Sequence, residues 1–217
     1  RDNADWHHCH FMLNLRKFQK DDAHELHNVR KLHLKWHKDD RAYCRELYCY
    51  DLFRRFGIWT AAYSSYCRLW IHVEGDSKAA YYGVYEMIEA IDDKYVKKRK
   101  ELFGDHNHNL WKCRWGASLN YNDRNNVSIH VDDDSGANYT YELKSNTENF
   151  AAAKTQLIEF TKNLTQRTGK DFHDWIASVC DVRLLLRTYA VNVVVGMWDD
   201  YWNNSNNYYI YFNSSDK

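Results

Sequence analysis

Hydrophobic and polar positions change their spacing about halfway along the chain. Before residue 105 the apolar residues recur every three to four positions, the period of a helix with one buried face. After it they alternate, as strands do. Asp21-Asp22 is read as the start of a helix reaching about His37, with Leu26, Val29, His33 and Trp36 along one stripe. Asp39-Asp40 opens a second helix through Phe56, and Gly57 stops it. Residues 58–72 are apolar and aromatic and fit either a buried helix or a strand. Ser77 then caps the most regular helical pattern, Lys78 to Phe103. Its stripe is Ala80, Val84, Met87, Ile88, Ile91, Tyr95 and Leu102, and Gly104 ends it.

Three consecutive antiparallel strands are predicted over 110–121, 126–132 and 138–144. A helix follows from about Thr147 to Thr168, with Phe150, Ala153, Leu157 and Leu164 inward and Gly169 as its stop. A short helix is predicted over 171–179. One long or two short strands are predicted over 181–198, and a last strand in "NYYIYF". No linker rich in Pro, Gly or Ser separates the halves. The expectation is one compact α+β domain over 1–217, in which a helical N-terminal half (residues 1–104) packs on an antiparallel or mixed sheet with a covering helix (residues 105–217).

Composition narrows the class. Charged residues are 28% and apolar ones 44%, the range of a globular chain. The longest apolar run, Ala190 to Trp198, is broken by Asn192 and Gly196 and is too short for a membrane span. A formal net charge of zero removes the bulk positive field that nucleic-acid binding draws on, so protein or glycan partners are favoured. There is no Pro, and Asn, Asp, Gly and Ser carry the turns. A proline-free chain also fits an artificial or viral origin. Sequons at Asn126, Asn138, Asn163, Asn203 and Asn213 would make a secreted chain a glycoprotein. No Cys pair has CxxC spacing, and an intracellular protein is favoured over a secreted one.

Candidate chemistry sits in three places. In "NNVSIHVDDDSGANYTYELKS" an antiparallel register setting Val127 against Leu143, Ile129 against Tyr141 and Val131 against Tyr139 puts every apolar residue on one face. Ser128, His130, Thr140, Glu142 and Lys144 then share the other. Glu142-Leu-Lys144 closing the third strand, with Asp123 before the second, resembles the PD-(D/E)xK nuclease core. The resemblance extends to the order helix, three strands, helix, strand. It implies Mg²⁺ held by Asp123 and Glu142, with Lys144 orienting the attacking water, and Glu86 or Glu89 as a further ligand. The chain departs from that pattern in having no Pro before any Asp, and the parity of Asp123 matches the apolar face. An amphipathic hairpin accounts for the same residues.

Histidine gives the second candidate: His106, His108 and Cys113 could supply three Zn²⁺ ligands, with "WHHCH" (6–10) supplying more. The third is aromatic. Trp198, Tyr201, Trp202 and Tyr209 stand among Asp and Asn in "MWDDYWNNSNNYYIYF", the residue mixture of protein- and glycan-binding surfaces. The reading that follows first is a non-catalytic binding or structural protein recognising its partner through this segment. A metal-dependent phosphodiesterase on Asp123, Glu142 and Lys144 is second.

Overall fold

Strands, more than helices, organise the first ninety residues of the computed structural model, which describes residues 8–18, 25–27, 29–133 and 137–213. Two compact units result, Arg1–Lys94 and Tyr95–Lys217, and the class is α+β. Among the described residues no helix is long and apolar enough to cross a membrane.

Among its described residues the first unit is an antiparallel sheet with a helix between two of its strands. Its strands are β1 (Phe11–Asn14), β2 (Lys31–Lys35), β3 (Ser64–Ile71) and β4 (Ala80–Glu89), in the order β1-β2-β4-β3. Helix α1 (Arg45–Arg55) joins β2 to β3. Two expected helices are strands here. The described portion of 21–37 contains β2, while Asp21 and Asp22 lie outside the described residues. The helix expected over 78–103 is β4, followed by the short helices α2 (Asp93–Lys98) and α3 (Lys100–Phe103). Tyr85 and Glu86 are neighbours on β4, and both are buried. A strand covered on both faces loses its alternation, so its apolar residues fit a helical stripe equally well. Gly83, at φ +118°, and the run Tyr-Tyr-Gly-Val-Tyr were the local signals for a strand. A bulge between Leu69 and Trp70 falls beside Gly83.

Helix α1 starts later than its sequence suggests. The Asp40 carboxylate accepts the backbone N–H groups of Ala42, Cys44 and Arg45 at 3.0, 2.7 and 2.6 Å, which sets the first helical turn. Gly57 follows the helix in a left-handed conformation, as expected.

The second unit is a mixed sheet under a helix. Its strands are β5 (Asn109–Cys113), β6 (Ile129–Val131), β7 (Tyr141–Leu143) and β8 (Tyr208–Phe212), in the order β6-β7-β5-β8. Helix α4 (Phe150–Gln166) lays Ala153 and Leu157 on Trp111, Cys113, Tyr141 and Leu143. That i, i+4 stripe is the one the sequence predicts. Helix α5 (Gly169–Val179) adds Trp175 against Phe160.

Two expectations fail in this unit. The pair β6–β7 is parallel: Ile129 opposes Tyr141, but Val131 opposes Leu143 and not Tyr139. Reversing a strand about one fixed pair leaves the same residues on the same face, so a period-2 pattern carries no information on direction. Residues 134–136 of the expected turn lie outside the described residues. The strand expected over 181–198 is helix α6 (Val182–Val194). Asp181 caps it by accepting the Leu184 N–H at 2.9 Å. Its Val-rich end resembles a strand in composition, but among the described residues no strand pairs with it.

Candidate functional site

In each unit the fold holds charged side chains in place. In the first unit Lys35 closes β2 and Glu46 lies in the first turn of α1. The two side chains form an ion pair, and both are about two-fifths exposed. The pair depends on two local devices: β2 pairing, which fixes Lys35, and the Asp40 cap, which fixes the turn carrying Glu46. Donation by the Arg45, Ala42 and Cys44 amides holds the Asp40 carboxyl below the ordinary carboxylate range.

Glu86 stands beside this pair. It is the cross-strand partner of Lys35 on one side and of Tyr66 on the other. It is 1% exposed, and its Oε1 has no hydrogen-bond partner among the described residues. Burial, then the charge of Glu46, pushes it up to about 7, with Lys35 opposing. Burial pushes Tyr50, on the facing side of α1, up to about 12, with Glu46 and Glu86 adding to it.

In the second unit the loop after α6 turns three amides onto one carboxylate. Asn204 and Asn206 each donate from Nδ2 to Asp199 Oδ1 at 3.1 Å, and Asn207 Nδ2 donates to Oδ2 at 2.8 Å. Helix α7 (Tyr201–Asn204) begins at Asp200, whose buried carboxylate accepts the N–H groups of Trp202 and Asn203 and the side-chain amide of Asn192. Ser205 and Asn207 are left-handed, at φ 49° and 53°, and fold the chain back toward Asp199. Adjacent aspartates thus have different tasks. Asp200 builds the loop; Asp199 is presented by it, half-buried and held by these three neutral donors.

The sequence-predicted residues fall as follows. Glu142 and Lys144 are brought together at 2.9 Å, and Arg114 Nε donates to Glu142 at 2.7 Å. The second carboxylate at Lys144 is Asp132, not Asp123. Asp123 lies in a short 3₁₀ turn and accepts from the Ser118 hydroxyl at 2.7 Å. Parallel pairing of β6 with β7 is the reason: it carries the end of β6, where Asp132 sits, toward the end of β7. Lys112, cross-strand from Glu142 and Tyr209, completes the cluster. Burial, then Arg114 and Lys144, brings its ammonium down to about 8.

Of the proposed zinc ligands, Cys113 is fully buried in the core, and burial pushes its thiol far up. His108 lies against Asp105 at 3.3 Å, and His106 is half-buried in the same loop. His7 of "WHHCH" is outside the described residues. Among the described residues no three His, Cys, Asp or Glu side chains are grouped to hold a metal. Of the aromatic candidates, Trp198 and Trp202 are 68% and 63% exposed, while Tyr201 and Tyr209 are half-buried. Tyr201 packs edge-on against Tyr208 at 5.1 Å.

Two features escaped sequence reasoning. The Lys35–Glu46 pair was hidden because 21–37 reads as a helix. The Asp199 loop was hidden because its Asn residues read as surface composition. Its signal was Asp-x₄-Asn, Asp199 to Asn204, in a segment rich in residues that tolerate left-handed backbone. The family model described as CotH kinase protein matches residues 4–217. No curated protein and no solved structure matches the chain.

Proposed function

The chain belongs to the CotH kinase protein family, and from that premise we propose that it transfers a phosphoryl group from a nucleoside triphosphate to a hydroxyl on a protein or glycan. The observation that carries the reading is the Lys35–Glu46 pair. In protein kinases a strand lysine held by a helix glutamate takes the nucleotide phosphates, and a loop aspartate followed by asparagine receives the hydroxyl proton and helps to hold Mg²⁺. Lys35 on β2 and Glu46 on α1 have the first relation. Asp199 and Asn204 have the second, with Asn206 and Asn207 added.

The donor set fits Mg²⁺ bound in the usual way for phosphoryl transfer, by one or two side-chain oxygen ligands with phosphates and water completing the shell. The Asp199 carboxylate would supply the protein's share, and the ion would supply charge neutralisation there. Lys35 would bind and orient the phosphates, with Glu46 preventing its ammonium from swinging away. Asp199, fixed by three neutral donors, would accept the proton of the attacking hydroxyl. Trp198 and Trp202, exposed on either side of Asp199 and Asp200, support a second role for the same segment, recognition of the protein or glycan that bears that hydroxyl.

ATP binding by the full chain with Mg²⁺, followed by calorimetry, tests the assignment. Lys35→Met is expected to weaken it by roughly tenfold or more, the loss of one charge-assisted contact. Unchanged affinity in that variant would refute the role given to Lys35.

A further inference from the structure

A second carboxyl lies next to Lys35 and has no evident structural task. Glu86 is 1% exposed, and among the described residues its Oε1 lacks a hydrogen-bond partner, although a buried carboxylate oxygen is costly to leave unpaired. Cross-strand neighbours have Cβ atoms about 5 Å apart, so Glu86 lies within a rotamer change of the Lys35 ammonium. Among the described residues the groups facing it are Lys35 from β2, Tyr66 from β3, Glu46, Cys49 and Tyr50 from α1, and Asp40 from the loop before it. Burial raises Cys49, Tyr50 and Tyr66, which keeps them neutral near pH 7. The charged set is therefore Lys35 against Glu46, Asp40 and, when ionised, Glu86.

We infer that Glu86 is a positioning residue for Lys35: protonated, it leaves the ammonium committed to Glu46, and ionised, it draws the ammonium across the sheet toward itself. Lys35 lies on Glu46, and the pull of a second carboxylate divides its ammonium between the two. Loss of the Glu86 proton therefore loosens the Lys35–Glu46 pair and adds negative charge where phosphates would bind. The coupling between Glu86 and Lys35 stands on the structure of the first unit alone. Its consequence for nucleotide rests on the phosphoryl-transfer reading.

Nuclear magnetic resonance of the full chain, carrying ¹³C-labelled Glu and ¹⁵N-labelled Lys, tests the coupling without nucleotide. One Glu carboxyl is expected to titrate near neutrality, and the Lys35 Nζ resonance to move with the same midpoint. In Glu86→Gln the carboxyl transition is lost and the Lys35 resonance is flat. A residue that merely fills space would produce neither change. Glu46→Gln gives a second route that does not alter Glu86 itself: removing that charge is expected to lower the Glu86 midpoint by about one pH unit. The inference is overturned if no Glu carboxyl titrates above about pH 6, if Lys35 does not follow the one that does, or if Glu46→Gln leaves its midpoint unmoved. ATP affinity is then expected to fall roughly tenfold between about pH 6 and pH 8 in the wild type and to stay level in Glu86→Gln. A coupled titration with no ATP binding at either pH would uphold the inference and overturn the phosphate role of Lys35.

Discussion

Replacing Glu86 by Gln removes one proton-binding group from the first sheet and keeps the side chain's shape. Burial and the Glu46 charge raise Glu86 from 4.5 to about 7 in the folded chain. The folded state therefore holds this proton more tightly than the unfolded chain does. The stability this provides is fully present below about pH 4.5 and is lost as the pH rises through about 7. At about 1.4 kcal/mol per pH unit, the interval between the two values comes to roughly 3 kcal/mol, an upper figure because water reaches Lys35. Gln carries no charge at any pH, so the variant escapes this loss. Its stability relative to the wild type should climb between about pH 5 and pH 8 by as much as ~3 kcal/mol. Hydrogen exchange of the β4 amides, Tyr85 to Ile88, reads the first unit specifically, and histidine titrations cancel in the difference between the two proteins. A difference constant within about 0.5 kcal/mol over that range would refute the reasoning, because it would mean that Glu86 ionises in the fold as readily as in the open chain.

Three further substitutions probe the frame around the two sites. Leu157→Ala empties a position 1% exposed against Trp111 and Leu143 and should cost about 2–5 kcal/mol by urea unfolding. Asp200→Ala removes the acceptor of two α7 amides and of Asn192, so exchange of the amides over 201–206 should speed up by about 2 kcal/mol equivalent. Gly83→Ala places a Cβ 3.4 Å from the Trp36 ring on a backbone at φ +118°, and a lowered melting temperature corresponding to about 1–3 kcal/mol is expected.

How much of this was legible in the sequence depended on whether one face or two were buried. Helix α4 has a single buried stripe, Ala153 to Leu157, and was found with its inward residues correct. Strand β4 is covered on both faces from Tyr85 to Ile88, and its apolar residues read as a helix. That error hid the site, because Lys35 and Glu86 become neighbours only when β2 and β4 are both strands. At β6 and β7 the pair Ile129–Tyr141 was legible while the strand direction was not, and direction decides that Asp132 reaches Lys144. The Asp199 loop is built from side-chain amides and two left-handed residues, neither of which leaves a periodic trace. In the same segment Trp198 and Trp202 are exposed while Tyr201 and Tyr209 are half-buried, a split that the surrounding Asn and Asp do not encode.

Phosphoryl transfer itself is measured most directly by ³¹P spectroscopy of Mg²⁺–ATP and a Ser/Thr-containing acceptor protein incubated with the full chain and with Asp199→Asn. Neutralising Asp199 keeps its size and removes the base to which the hydroxyl proton is assigned. Loss of the γ-phosphate signal is expected with the wild type, and a rate lower by about 10²–10⁴ is expected with the variant. Equal rates in the two proteins, or no consumption of ATP by the wild type, would contradict the assignment.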